Sequence, residues 1–425
     1  MKTRRNLLKG AAGIATIAAI SSGSSKSMAT PTLTTNSLGV SVVQYLTGIN
    51  GGYDATAELQ QAIDENNTVF IPSGVTISIY NKILLTSGKR IIGESGISSN
   101  DTNVSKQTVI QSETDLAYID VARDVTISGV TFIRTGAATD ANGLSGFAGK
   151  AVNCPNNKQV TDVEIFSCNF FGYGIAIDMS NGSLANTRGR WYVTNINMDC
   201  DIGITMDYVL DNCYFSNIHQ WPFLGNGLIN NGSQAKRSKL FELGNRVDWI
   251  QIDNCFSHST KNFISGSVGN ISITNGGWDY EEYGVDTDDA VGVSLNSQNI
   301  GGQGDGTVKL SNMTFNGGKS QIRINMAYAD NNNNTVSIIG CSFDRAGWAF
   351  IDVVNGRLSA VGNQFKVEPG LGLGKLSGSL PHWIGHVQNN SKVVALGNMY
   401  GSTANGTWAQ AGENAVIEQA NNITI

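Results

Sequence analysis

Val125–Phe132 (VTISGVTF) and Val163–Phe170 (VEIFSCNF) repeat one short pattern. Apolar and polar residues alternate, a Gly or small polar residue interrupts, and an aromatic follows. The same pattern returns at Leu210–Phe215, Ile250–Phe256, Ile271–Trp278, Val308–Phe315, Val336–Phe343, Leu358–Phe365 and Val393–Tyr400. Alternation with period two marks a strand. Gly or Asn at its end tolerates left-handed backbone, and the aromatic is expected to point inward. The closing aromatics lie 22 to 45 residues apart. A coil of a parallel β-helix takes about 20 to 30 residues, plus any loops. The expected fold is therefore all-β, a single-stranded right-handed parallel β-helix.

The composition agrees. The chain has 425 residues with 50 Gly, only 6 Pro and 15% charged residues, and its 45 Asn are well above average usage. At 40% hydrophobic it is no disordered chain, and it has neither the glycine period of collagen nor the Ala/Glu/Lys/Leu richness of a coiled coil. A net charge of −6 argues against nucleic acid as the partner. Cys168, Cys213, Cys255 and Cys341 fall beside the expected turns and read as free thiols in an interior column. No CxxC occurs, and no metal is expected.

Asp54 is placed to cap a helix from Ala55 to about Glu65, with Ala55, Leu59, Ala62 and Ile63 on one face. Such a helix suits the open end of a solenoid, so residues 54–425 are expected to form the β-helix domain, with 54–65 as its capping helix. Residues 30–53 read as a linker. Residues 1–29 read as a signal peptide: Arg4 and Arg5, a mild apolar run from Gly10 to Ile20, and small residues up to Ala29. The paired arginines resemble a twin-arginine export signal, which implies a periplasmic or secreted protein. About 11 mildly apolar residues are too few to span a bilayer ~30 Å thick.

Asp54–Ile63, Val69–Gly74 (VFIPSG), Leu85–Gly88 and Ile92–Gly93 together resemble the opening of pectate-lyase-superfamily β-helices, most closely the tailspike depolymerase branch. Tyr214–Phe223 (YFSNIHQWPF) and Phe241–Trp249 (FELGNRVDW) resemble a segment of phage tailspikes that cut capsules. The resemblance implies a polysaccharide as partner and a monomer or homotrimer. An export signal in place of a virion-attachment head implies a bacterial, exported relative.

Glycoside hydrolysis asks for two carboxyls, about 5 Å apart for retention and about 6.5–9.5 Å for inversion. Six of the twelve residues from Trp278 to Asp289 are acidic, in a chain otherwise poor in charge. Asp279, Glu281 and Glu282 are candidate catalytic groups, with Trp278 and Tyr280 as sugar platforms. A Ca²⁺ site at Asp286, Asp288 and Asp289 is the alternative for that stretch. Aligning the coils on Asn254, Asn275 and Asn312 puts Ser257, Asp279, Asn316 and Asp344 in one column, with His258 beside it. Asp279 and Asp344 then lie two coils apart, roughly 9–10 Å. His219 and Trp221 are candidate substrate contacts, and Arg246 is a candidate to hold a uronate carboxylate or orient Asp248, a further catalytic candidate. Lys236, Arg237 and Lys239 form a small basic patch. Hydrolysis of an acidic exopolysaccharide or capsule is the expected activity. A lyase using Arg246 with His219 or His258, or a non-catalytic binding and assembly protein, is the alternative.

Overall fold

The computed structural model describes residues 35–36, 39–94, 106–140, 143–180, 182–224, 237–280, 290–297, 306–326, 335–344, 346, 348–366, 383–388, 391–400, 408–411 and 414–424. The expected signal peptide, residues 1–29, lies outside them, as do Glu281, Glu282, Asp286, Asp288, Asp289 and Lys236.

One coil shows the plan of the molecule. Ile250–Asp253 runs along a first face, Phe256–His258 along a second, and Thr260–Val268 along a third. Ile271–Thr274 then pairs in parallel with Ile250–Asp253, one coil further on. Among the described residues these strands make a 26-stranded sheet covering the first two faces and a 12-stranded sheet for the third. The chain is a right-handed parallel β-helix.

Parallel stacking puts like positions on top of one another. The first-face interior carries Ile127, Ile165, Val193, Phe215, Ile252, Ile273, Leu310 and Ile338 in register. The third-face interior carries Ile177, Ile204, Phe241, Ile264, Val293, Ile322 and Ile351. Stacked rings line the second face: Phe132 on Phe170 at 5.0 Å, and Phe343 between Phe315 at 5.2 Å and Phe365 at 4.8 Å. Each such pair adds about 0.5–1.5 kcal/mol beyond its buried area.

The corner between the first and second faces is a single left-handed residue. Ser167, Asn195, Asn217, Asn254, Asn275 and Asn312 hold it with φ of 51–55°. Asn and Ser accept this region because a short polar side chain can bond locally. Here the amides also bond between coils, Asn217 Nδ2 to Asn195 Oδ1 at 3.1 Å and Asn312 Nδ2 to Asn275 Oδ1 at 3.3 Å. Counting from this residue, positions one and three point inward, and positions two and four outward.

This counting corrects three sequence assignments. Phe215 precedes Asn217 by two and belongs to the first-face interior. Phe256 follows Asn254 by two and lies on the outer side of the second face, paired with His219. Cys213 opens a first-face strand opposite Ile250, so only Cys168, Cys255 and Cys341 share the position after the turn. Where aromatics were expected inside, Gln220 and Ser257 are buried instead.

The helix spans Thr56–Glu65, one residue later than expected at its start, and buries Leu59, Ala62 and Ile63 against the coils. Asp54 Oδ1 accepts the Thr56 N–H at 3.0 Å. All six cysteines are free and buried. Burial pushes Cys168, Cys213 and Cys255 up to about 12 and Cys341 up to about 11. The thiolate is the reactive form. The folded protein should therefore show no thiol reactive to Ellman's reagent, and all six should react after unfolding.

Candidate functional site

Position four after the turn forms an outward column on the second face. His258, Asp279, Asn316, Asp344 and Lys366 follow one another through consecutive parallel pairings. The expected column held Ser257. The structure replaces it with His258, because Gly277 pairs with Phe256 and Trp278 with Ser257. Gly277 is needed there: a Cβ would meet Phe256 Cδ2 at 2.9 Å. Asp279 Oδ1 accepts the Asn316 amide at 3.0 Å. Asn316 Oδ1 is buried without a hydrogen-bond partner. The carboxyls of Asp279 and Asp344 are two coils apart, roughly 9–10 Å at the strand spacing.

An aromatic patch adjoins this column. Trp221 follows Gln220, the partner of Ser257, so its ring falls on His258 with centroids 4.0 Å apart. It is 37% exposed, while His258 beneath it is buried. His219 stands against Phe256 at 5.5 Å and Phe223 at 5.8 Å. Phe256 lies nearly parallel to Trp221 at 6.5 Å. Phe223 and Phe256 were not among the residues expected here.

The loop carrying Trp221 is tied down by a buried ion pair. Asp199 accepts Arg237 Nε at 2.8 Å and Arg237 Nη2 at 2.6 Å, both at Oδ1, and the Leu224 N–H at 2.7 Å at Oδ2. Both side chains are 1% exposed or less. Arg237 is thus a structural partner of Asp199 and no part of a basic surface patch.

Burial, aided by the neighbouring His258, holds the His219 imidazole below its usual value. A depressed histidine stabilises the fold above its unfolded value of about 6.5. That contribution is lost as pH falls through the folded value, because the unfolded chain takes up the proton first. The protein should unfold at lower urea at pH 5 than at pH 7.5, and His219→Gln should flatten the difference.

Other expected residues lie elsewhere. Trp278 is 1% exposed with its indole N–H donated to Thr260 O at 2.8 Å, and Tyr280 packs beside it at 5.7 Å. Both fill the interior and offer no surface to a sugar. Arg246 and Asp248 sit at the corner between the third and first faces. There Asp248 Oδ1 accepts the N–H of Trp249 at 2.9 Å, the N–H of Asn270 at 2.6 Å and the Asn270 amide at 2.8 Å. A carboxylate oxygen engaged this way braces two coils and does not point into the second-face site. Arg246, at φ 49°, belongs to the same turn.

The third face also carries an outward polar network absent from the sequence reading. Lys150 Nζ bonds Asn153 at 2.6 Å and Asp178 at 2.9 Å, and Asn153 reaches Asp120. Burial raises the Asp178 carboxyl, but its bonds from Ser180, Lys150 and Thr205 outweigh this and hold it below its usual value. A groove of about 740 Å³ on the first face is lined by Tyr214, Trp249, Asp253 and Lys309, with Trp249 61% exposed. Among the described residues no group of three or more His, Cys, Asp or Glu is placed to hold a metal ion, and no helix is long and apolar enough to cross a membrane.

No family model matches the sequence, and no curated protein matches it. Solved structures do. The catalytic unit of the thermostable GH87 α-1,3-glucanase from Streptomyces thermodiastaticus is similar with a TM-score of 0.59 at 9% identity, over 93% of this chain and 70% of that one. Pre-mature bacteriophage phi29 gene product 12 gives 0.54 at 14% identity, over 91% of this chain and 52% of that one. The Dettilon tailspike gives 0.51 at 11% identity, over 86% and 66%. The likeness is one of fold. All share the parallel β-helix with this chain, which spans about half of the phage gene product.

Proposed function

We propose that this protein is an exported, polysaccharide-active enzyme that hydrolyses glycosidic bonds of an acidic bacterial exopolysaccharide or capsule. One observation carries the reading: a half-exposed Trp221 packed at a tilt over His258, continuous with the Asp279–Asn316–Asp344 column on one outer face. An indole face binds the apolar side of a sugar ring, and the next coils supply carboxyls at a spacing near the inverting range of ~6.5–9.5 Å. The Asn316 N–H holds Asp279 as an acceptor. This suits the base that takes a proton from the attacking water, while Asp344 protonates the leaving glycosidic oxygen. That glycan-cutting proteins use this fold, as the name of the α-1,3-glucanase states, supports the reading.

The test is incubation with purified acidic exopolysaccharides. Reducing ends should accumulate without absorbance at 232 nm, and Trp221→Ala should weaken retardation in a polysaccharide affinity gel by about tenfold, a loss of ~1.4 kcal/mol. Absorbance at 232 nm would mark a lyase. A polymer that is retarded but never cut would favour the assembly role.

Export belongs to the same proposal. Lysine at Arg4 and Arg5 together should leave the precursor in the cytoplasm of the expressing cell, as read by fractionation. Export of that variant at the wild-type level would remove the twin-arginine route.

A further inference from the structure

On the third face one outward column runs Ser265, Ser294, Arg323, Asp352, His386 through successive coils. Small hydroxyls give way to a cation, an acid and an imidazole in three consecutive coils. The interior neighbours are ordinary, Ile322 against Ile351 and Ile324 against Val353, so packing does not call for the change. Asp352 is buried, with a side chain 2% exposed. It accepts Gln388 Nε2 at 2.9 Å and lies 3.1 Å from His386 Nδ1. Gln388 Nε2 also lies 2.8 Å from His386 Nδ1, so Asp352 and Gln388 both engage that nitrogen and Nε2 is the one left facing away from the carboxylate. Trp348 meets the imidazole edge-on at 4.8 Å. Arg323 reaches Asp352 through Nε, at 3.5 Å, and its side chain is 56% exposed. Among the described residues no hydrogen bond engages its two terminal nitrogens.

We propose that this constellation is a second carbohydrate site, in which Arg323 receives the carboxylate of an acidic sugar and His386 Nε2 bonds a hydroxyl of the same residue. A guanidinium presents parallel N–H donors that match a carboxylate in two-point geometry, which a lone ammonium does not. Asp352 keeps the two ligand-facing groups in place, since it contacts both. Trp348 closes one side. The site rests on the polysaccharide reading above and narrows its substrate class to uronate-bearing chains. It lies on a different face from Asp279 and is not needed for the cleavage step.

The test uses proton NMR of the histidine ring signals of the full-length protein, with His386 assigned through His386→Gln. D-glucuronate, glucose and inorganic phosphate are the probes. Glucuronate should move the His386 signal saturably, glucose should not, and Arg323→Gln should weaken the glucuronate response at least about tenfold. A His386 signal unmoved by glucuronate would overturn the site, as would an undiminished response in Arg323→Gln. An equal response to phosphate would overturn the sugar carboxylate as its ligand. Because the probe is a monosaccharide, the outcome is independent of whether Asp279 and Asp344 cut polymer.

Discussion

Asp279→Asn should slow polymer cleavage by about 10²–10⁴-fold, the usual contribution of a general base. Asn keeps the volume of the side chain and can still meet Asn316, so the fold and sugar binding should persist. Reducing-end release at saturating polymer measures the loss, and the affinity gel shows whether binding is retained. Unchanged cleavage would remove Asp279 from the chemistry. Asp344→Asn should fall by a similar factor, because protonating the leaving oxygen is the other half of the same step. The two losses together should not multiply, since the residues act in one transition state.

Asp199→Ala should be the most damaging change to stability among the residues of this site. It would strand the Arg237 guanidinium, 1% exposed, without its counter-charge. Breaking a buried pair from one side costs about 3–5 kcal/mol. Urea unfolding should show the loss as a shifted midpoint with little change in slope. An Asp199→Leu, Arg237→Met double variant should recover most of it, because paired apolar side chains carry no desolvation penalty. Function should not recover in step. Asp199 also holds the Leu224 N–H, and with it the loop that sets Trp221 over His258. The double variant should be stable yet weakened in polymer binding.

The fold is legible because a parallel solenoid repeats its corner. Asn254, Asn275 and Asn312 can be aligned by eye, and the structure gives them the same left-handed backbone. What the sequence hides is the register on either side of that corner. Taking every aromatic as inward put Phe215 and Phe256 in the wrong columns. Counting one and three residues from Asn217 and Asn254 would have placed Ile218, Gln220, Cys255 and Ser257 inside and left His219 and Phe256 outside. Buried Gln220 and Ser257 defeat a purely hydrophobic reading, since each makes a hydrogen bond that composition does not reveal: Gln220 Nε2 to Cys200 O at 2.8 Å, with its Oε1 left unpaired, and Ser257 from Thr260 at 2.9 Å.

The site was legible in part for the same reason. Asp279 and Asp344 come from coils whose corner is legible, and they share a column, which His258 joins in place of the expected Ser257. The acidic neighbourhood of Trp278 and Tyr280 suggests sugar platforms, yet both rings are buried and fill the core. The ion pair of Asp199 with Arg237 joins residues 38 apart in sequence. The Arg323–Asp352–His386 column spans three coils separated by loops of different length. Neither has a local pattern to find.

The most direct measurement is the anomeric configuration of the reducing end at the moment of release, followed by proton NMR during cleavage of an acidic exopolysaccharide. Carboxyls two coils apart leave room for a water between sugar and base, so inversion is the expected result. Retention would require carboxyls about 5 Å apart and would contradict the Asp279–Asp344 pair. An unsaturated product end would contradict hydrolysis itself.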